Sequence, residues 1–383
     1  MYILMLFSTD IPICDGIASH VVTLAKQLSK RNHTVTLMTR GSWRGRVEFQ
    51  YQSLKVIKAP FYRLYPLHVH MHGYFVRKAI EDLSPQPDLI HFHSPLVPPL
   101  PKKWPIVTSF HTPMLVDTAH VENIGLRTLL IKLMGKTTSY HIEKRLLAIS
   151  DAVIAVSQGV ADELTAYYGY ESYIYPIPNI VDTDFYTPSS FSEQKKILLY
   201  IGRLSYRKGL FEIVNSAKDV IKQHPDVKYI LIGSGPLEKL LRKAINKLRL
   251  DLNFIFCGEI YDPSKILHFY QQATVVLIPS YYESGPLTLL EAMACGKPII
   301  TTSTGLAKGL IENGSNAILV RPRSVRDLVE ATIKLLSSEA LCKKLGKAAR
   351  RTIDEKISQD KNTDLVEEVY KYAIDKFRKS KKC

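Results

Sequence analysis

KILLYIGRLSYRKGLFEIVNSAKDVIKQH (residues 196–224) decides the fold. KILLYIG is apolar without alternation, as a strand buried on both faces must be. A loop rich in glycine and cations follows, and LFEIVNSAKDVIKQH reads as a helix. The same succession continues through the strand-like runs KYILIG, NFIFCG, VVLIPS and PIITT and the helical runs PLEKLLRKAINKL, PSKILHFYQQ, PLTLLEAMACG and SVRDLVEATIKLLS. It also runs upstream, where YILMLFS, TVTLMT, DLIHFHS, PIVTSFH and AVIAVS alternate with helical stretches such as IASHVVTLAKQLSK and the block around 74–83. Alternation of this kind predicts a parallel sheet covered on each side. It occurs twice, before and after the polar stretch PNIVDTDFYTPSSFSEQKK (178–196). The expected fold class is α/β, two Rossmann-like domains facing a central cleft, 1–185 and 195–383, with the linker within 182–195. A last helical block, 365–379, fits either domain. Ligands of such sheets bind at the carboxyl ends of the strands.

Composition sets the outer bounds. A chain of 383 residues exceeds one ordinary core, and 46% hydrophobic residues exclude wholesale disorder. No run approaches about 20 uncharged apolar residues, so no transmembrane span is expected. MYILMLFST has no basic lead and no small-residue cleavage site, and reads as a buried strand rather than a signal peptide. Cys14, Cys257, Cys295, Cys342 and Cys383 are odd in number and far apart. They suggest neither a disulfide framework nor a thiolate metal site, and fit a reducing cytosol. The formal charge is +15, and residues 1–190 hold only 18 of the 51 basic side chains but 15 of the 36 acidic ones. The basic excess of the second half favours anionic partners, such as nucleotide phosphates or acidic lipid headgroups. Nucleic acid is not expected, because no helix-turn-helix, RRM, KH or zinc-finger pattern is present. Much of the charge, as in KYAIDKFRKSKKC (371–383), equally describes a solvated lysine-rich surface.

Three motifs in the second half carry chemistry. In YIGRLSYRKG (200–209), Arg203 and Lys208 share one strand-to-helix loop. Two cations beside a helix N-terminus make an anion site; the plainer reading is a solvated basic loop. In LIGSGPLEKLL (231–241), Gly233 and Gly235 form a Gly-x-Gly without the third glycine of the dinucleotide fingerprint, so a tight turn competes with a phosphate cradle. YESGPLTLLEAMACGKPII (282–300) is the most specific. Glu283 precedes a helix and Glu291 lies eight residues on, within it. At about 1.5 Å per helical residue the two carboxylates stand roughly 12 Å apart, the length of a sugar–diphosphate–ribose unit. One can accept from sugar hydroxyls and the other from ribose hydroxyls, with the diphosphate across the helix N-terminus. Glu291 stands among Leu289, Leu290, Ala292 and Met293, where an unpaired carboxylate is costly.

In the first half, DGIASH (15–20) links a strand to a helix, and Gly16 lets the backbone approach a ligand. His20 reads as a cap or interior residue. HFHSP (91–95) and SFHTP (109–113) each close a strand. His91 and His93 read as structural, whereas His111, followed by Thr112-Pro113, reads as functional. His68, His70 and His72 alternate on one strand face with no acidic cluster nearby and suggest surface decoration rather than metal. Ser157 reads as a helix N-cap. The segment Leu126–Met134 places Leu126, Leu129, Leu130, Leu133 and Met134 on one helical stripe among Arg127, Lys132 and Lys136. Such a stripe serves either packing on its own domain or docking on an anionic membrane surface.

Together, DGIASHV, SFHTP, Gly-Arg-x4-Lys at 202–208, GSGP and Glu283-x7-Glu291 followed by AMACGKP resemble the retaining family-4 glycosyltransferases of the GT-B fold, also described as glycosyl transferases group 1. The resemblance covers nearly the whole chain. It implies that Arg203 and Lys208 hold the donor diphosphate and stabilise the leaving group. It assigns Glu283 to the donor-sugar hydroxyls, Glu291 to the ribose, Gly16 to the donor phosphate and His111 to the transferred sugar. Gly233, Gly235 and the turn Gly285-Pro286-Leu287 complete the donor set. It implies no metal and no cofactor beyond the nucleotide diphosphate sugar itself. The chain departs from the family pattern where Gly285-Pro286 replaces Phe-Gly, where TGLAKGLIENG (304–314) lacks a Gly-Gly pair and the acidic residue before the apolar pair, and where Asp15 replaces the first glycine of Gly-Gly. Pro286 removes one N–H from its turn.

The expected function is transfer of a hexose-type sugar from a UDP- or GDP-sugar to a glycan or lipid-linked acceptor, with retention, by a cytoplasmic enzyme that sits peripherally on the cytoplasmic membrane face. A retaining glycosidase needs two carboxylates about 5–5.5 Å apart, which the Glu283/Glu291 spacing does not suggest. Two alternatives stay open, a non-catalytic nucleotide-sugar-binding partner subunit and a nucleotide-sugar epimerase of the same architecture. An NAD dehydrogenase is set aside because no complete G-x-G-x-x-G opens either half.

Overall fold

The computed structural model describes residues 1–11, 15–62, 64, 67–120, 126–189 and 196–381, without the side chains of 126–128. Cys14, Cys383, residues 190–195 of the expected linker and the side chains of Leu126 and Arg127 lie outside the described residues. The chain divides into two compact units, Met1–Ile180 with Gln359–Cys383, and Val181–Ser358. The division falls just upstream of 182–195. Val181 and Tyr186 enter the second unit's core, and Arg350 donates to the carbonyls of Tyr186 and Ala294 at 3.0 and 2.9 Å, so the segment after Ile180 is stapled to the second unit.

The first unit is an eight-stranded sheet of β1 (Tyr2–Phe7), β2 (Thr34–Arg40), β3 (Val47–Tyr51), β4 (Leu54–Ala59), β5 (Leu89–Ser94), β6 (Ile106–Phe110), β7 (Ala152–Ala155) and β8 (Ile174–Pro176). Their order is β3-β4-β2-β1-β5-β6-β7-β8, parallel except for β3, which runs antiparallel beside β4. The second unit's sheet contains β9 (Ile197–Ile201), β10 (Lys228–Ile232), β11 (Phe254–Gly258), β12 (Val275–Ile278), β13 (Ile299–Thr301) and β14 (Ile318–Leu319), all parallel, in the order β11-β10-β9-β12-β13-β14. Both are doubly wound, so the sheet order reverses beside β1 and beside β9. At such a reversal two loops diverge at the carboxyl edge and leave a crevice.

The continuously apolar strands are buried on both faces, as their composition requires. Ile90 and Phe92 of β5 enter the layer on one side of the first sheet and Leu89 the layer on the other. The helix Gln359–Ser380 completes this second layer with Val366, Val369, Tyr370 and Ala373. Arg31 anchors its start through Glu367 at 2.8 Å, and His33 meets the same carboxylate at 2.6 Å. The last helix thus belongs to the first unit.

One expectation is overturned. His68, His70 and His72 do not share a strand face; they open the helix His68–Glu81. His68 and His72, four apart, fall on its buried side with Val69 and Val76, and His70 is exposed. Alternation over five residues mimicked a period of two, and the i, i+4 spacing won because it aligns with the apolar residues downstream. Ser157 is the N-cap of the helix Gln158–Tyr168 and accepts from Val160 N–H. No helix among the described residues is long and apolar enough to cross a membrane.

The fully buried Tyr370 also bonds His91 Nδ1 through its hydroxyl at 2.7 Å. Tyr370→Ala should destabilise the first unit by about 3–5 kcal/mol. In a urea titration followed by unit-specific fluorescence labels, its transition should move to lower denaturant while that of the second unit stays in place.

Candidate functional site

In the second unit, the loops after β9 and β12 flank the point where the sheet order reverses. The β9 loop carries Arg203, passes through a 3-10 turn (Tyr206–Lys208) and enters the helix Leu210–Gln223. The β12 loop carries Ser280 and Glu283 into the helix Leu287–Ala294. The two are clamped together. Tyr281 N–H donates to the Arg207 carbonyl at 2.7 Å, and Gly209 lies against Pro279, whose oxygen a Cβ there would meet at 2.0 Å. Lys208 Nζ donates to Glu283 Oε1 at 2.5 Å and Ser280 Oγ to the same oxygen at 2.7 Å. The pair is largely buried, with 18% and 10% of the two side chains exposed. Burial pushes the Glu283 carboxyl up, but Lys208, Arg207 and Ser280 outweigh it and hold the pKa below the ordinary value. Glu283 is therefore a fixed anion. Arg203, earlier on the β9 loop, is exposed and lies within the field of Glu259.

Pro286 stands as N-cap of Leu287–Ala294 without a side-chain hydrogen bond to the first turn. Gly285, Pro286 and Leu287 thus present backbone at the start of a helix whose N-cap residue, a proline, has no side chain that can cap its leading N–H groups. Leu306 N–H, in TGLAKGLIENG, donates to the Ser284 carbonyl at 3.0 Å and supports this turn from behind.

The glycines of GSGP have a packing reason. A Cβ on Gly233 would stand 2.1 Å from the Gly202 carbonyl oxygen, and one on Gly235 2.3 Å from that of Leu204. Leu204 N–H donates to the Ser234 carbonyl at 2.8 Å. Gly233 and Gly235 therefore seat the β10 loop directly on the Arg203 loop and set its course.

Glu291 is brought into a different setting from Glu283. It is buried, and Tyr270 donates to its Oε2 at 2.8 Å, while the Tyr186 hydroxyl also bonds the carboxylate. Burial raises its pKa against these two tyrosines. Two donors use two of a carboxylate's roughly four lone-pair sites. The cost foreseen for a carboxylate in this apolar helix is met by tyrosines that no spacing in the sequence announced.

In the first unit, His111 follows β6 and is buried. Its Nε2 lies 3.1 Å from His93 Nδ1, and it bonds the Asn179 side chain. His20 Nδ1 accepts from Ile180 N–H at 3.0 Å. Burial lowers the pKa of His111 to about 4 and that of His91 to about 3, and those of His20 and His93 fall likewise, so the group is neutral at pH 7. One donor atom from each of His20, His93 and His111 lies within 4.8 Å of the others, spacing that a divalent ion can use. At least two of these histidines already spend ring nitrogens on hydrogen bonds, so an ion there would have to displace them. Gly16 opens the helix Gly16–Lys30, and Asp15 is its N-cap, accepting from Ala18 N–H at 2.9 Å. Asp15 thus takes a first-turn N–H that an approaching phosphate would otherwise use.

Glu143, absent from the sequence reading, organises the turn after His111. It is buried on the helix Tyr140–Ile149 and accepts from Met114 N–H at 3.0 Å, from Ser94 Oγ at 3.2 Å and from the Tyr168 hydroxyl. It therefore ties the end of β5 to the His111-Thr112-Pro113 turn. A glutamate on the same stripe as Leu146 and Leu147 was its signal. Arg207, next to Lys208, was the other residue within sight.

The family model for glycosyl transferases group 1 matches residues 182–352, and that for glycosyltransferase family 4 matches residues 14–185. Glycogen synthase of Mycobacterium tuberculosis is 27% identical over 286 residues, 73% of this chain and 68% of that protein. Alpha-monoglucosyldiacylglycerol synthase of Streptococcus pneumoniae is 25% identical over 326 residues, 80% and 72% of the two. The solved structure of sucrose-phosphate synthase from Thermosynechococcus elongatus has a TM-score of 0.82 at 20% identity, covering 97% of this chain and 98% of that one.

Burial raises the Glu143 pKa from 4.5 to about 7 despite its three donors. Between these values the folded state holds a proton that the unfolded chain has released, so stability is greatest below 4.5 and falls as pH rises through 7. The slope approaches about 1.4 kcal/mol per pH unit. Glu143→Gln should flatten it in denaturant titrations of the first unit run across this range.

Proposed function

The chain belongs to the family-4 glycosyltransferases, on a GT-B fold of two Rossmann-like domains, and from that membership we propose that it moves a hexose-type sugar from a UDP- or GDP-sugar to a glycan or lipid-linked acceptor with retention at the anomeric carbon. The observation that carries this reading is the Lys208–Glu283 pair at the β9/β12 crevice, with Arg203 exposed on the same loop. As the bond from C1 to the diphosphate oxygen breaks, negative charge gathers on the departing phosphate. Lys208, held by Glu283, and the first turn of Leu287–Ala294 are fixed positive groups that stabilise it without reorganising, and the exposed Arg203 adds a second side-chain cation. Ser280 and Lys208 both occupy Oε1 of Glu283, which leaves Oε2 for a donor-sugar hydroxyl. Glu291 keeps two lone-pair sites for ribose hydroxyls. The acceptor oxygen attacks C1 on the face the phosphate leaves, and its proton passes to the departing phosphate oxygen. In this scheme two side-chain cations neutralise the diphosphate, and neither a metal ion nor an organic cofactor enters.

The first unit is the acceptor half in this reading. Neutral His111 would exchange its bond to His93 or Asn179 for one to the transferred sugar, and Gly16 would give the donor phosphate a close backbone approach beside the N–H that Asp15 caps. Leu129, Leu130 and Leu133 of the helix Leu126–Met134 are 59%, 51% and 56% exposed, which favours docking on an anionic membrane surface, on its cytoplasmic face, over packing within the unit.

A thermal-shift panel of nucleotide diphosphate sugars identifies the donor, and an anomeric assay of the product should find retention; an inverted product refutes that step. Lys208→Ala and Glu283→Gln should each lower kcat by about 10²–10³ with circular dichroism unchanged. Undiminished turnover in either variant removes the site. Turnover should survive a chelator. Donor conversion without acceptor marks the epimerase, and donor binding without any turnover marks the partner subunit.

A further inference from the structure

The first unit contains a solvent-open groove of about 350 Å³ whose lining includes the exposed His70, Thr137, His141 and Arg145 together with Pro99 and Thr138. Its place follows from the topology. His70 lies in the first turn of the helix that follows β4, and Pro99 lies in the segment that leaves β5. His141 opens the helix that descends to β7. All three mark the carboxyl edge of the sheet, where ligands of parallel sheets bind.

The chemistry of the lining is one-sided. Arg145 brings a permanent cation, and no carboxylate stands among the described lining residues. No hydrogen bond or ion pair with another described residue occupies the Arg145 guanidinium. His141 Nδ1 lies 2.8 Å from the Thr137 carbonyl oxygen. A carbonyl only accepts, so Nδ1 carries a proton; Nε2 accepts from a protonated phosphoryl oxygen when the ring is neutral and donates to an anion when the ring is an imidazolium. Thr137 and Thr138 belong to a π-helical turn, Gly135–Ser139, which aligns backbone and hydroxyls differently from the helices on either side. The Thr137 hydroxyl is spent on the Leu133 carbonyl at 2.8 Å, but the forked Arg145 guanidinium, the Thr138 hydroxyl and, when protonated, the imidazoles of His70 and His141 suit a tetrahedral anion with several terminal oxygens. The volume lies at the lower end for small-molecule sites and leaves room for the group that bears the anion.

The groove is also coupled to the turn after His111. His141 and Arg145 are four apart on one face of Tyr140–Ile149. Glu143, between them on the buried face, holds Met114 N–H just beyond His111-Thr112-Pro113. One helix therefore presents a cationic face to the groove and fixes the histidine turn with its other face.

We infer that this groove binds a phosphoryl group carried by the acceptor. The inference deepens the reading of the first unit as the acceptor half and rests on it. The phosphoryl group has two sources. The exposed Leu129 and Leu133 lead directly into the π-helical turn, so a lipid phosphate can lodge in the groove while its chains cover these leucines. A soluble phosphorylated acceptor uses the groove alone.

The test uses the full chain and the double variant Arg145→Gln/His141→Gln. Inorganic phosphate is titrated by calorimetry, and vesicles of phosphatidylglycerol in phosphatidylcholine are compared with pure phosphatidylcholine by co-sedimentation. Saturable phosphate binding that weakens at least tenfold in the double variant establishes the soluble source. Selective binding to anionic vesicles that weakens as much in the double variant, and also in Leu129→Ser/Leu133→Ser, establishes the lipid source. Equal binding by wild type and the Arg145/His141 variant with both probes, or no binding of either probe by wild type, overturns the inference. UDP and GDP binding, read on the same proteins, should be untouched by the double variant. Loss of nucleotide binding in the wild type would instead count against the donor site, so the two failures are distinguishable.

Discussion

The ion pair between Lys208 and Glu283 is the constraint around which the second unit is arranged. Two charges withdrawn from water are a weak source of stability, because desolvation offsets most of their attraction. They persist where the surrounding backbone has no other course. The Arg207 carbonyl is bonded by Tyr281, Gly209 is pressed on Pro279, and Ser280 adds a second donor to the same carboxylate oxygen. Loops from two non-consecutive strands thereby become one rigid rim. A rim of this kind has its charges in place before any ligand arrives, which is the condition under which electrostatic stabilisation contributes most.

The first unit is organised by the opposite means. Its central group is neutral, with histidines deprived of charge by burial and held by one another, by Asn179 and by Tyr370. A deeply buried carboxylate near that group, Glu143, is spent on Met114, Ser94 and Tyr168. Charge in one half and neutral donors and acceptors in the other are what the proposed transfer asks of its two units. The anionic leaving group needs cations, whereas a sugar's hydroxyls need hydrogen bonds that do not attract the diphosphate.

The departures from the family pattern acquire local reasons. Asp15, standing for a glycine, caps the helix Gly16–Lys30. Pro286, standing near the start of Leu287–Ala294, costs nothing there, because the N–H it lacks would have had no intrahelical partner. Each change alters what the loop offers a ligand while leaving the helix behind it intact.

The amino-acid sequence by itself determined the two α/β sheets, because short, continuously apolar runs, as strands buried on both faces require, alternate with longer stretches of helical period. It also pointed to Lys208, Glu283 and Arg203, since loops at the carboxyl edge carry little other constraint on residue type. Edge strand β3 escaped it, because VEFQY is short and half polar. So did the helix under His68, where five residues are too few to separate two periods. Only the tertiary structure decided that Tyr270 and Tyr186 sustain Glu291, that Glu143 holds the turn after His111, and that Gln359–Ser380 closes the first unit. Those partners come from distant parts of the chain, and a hydrogen bond across such a separation leaves no periodicity in the sequence for a reader to find.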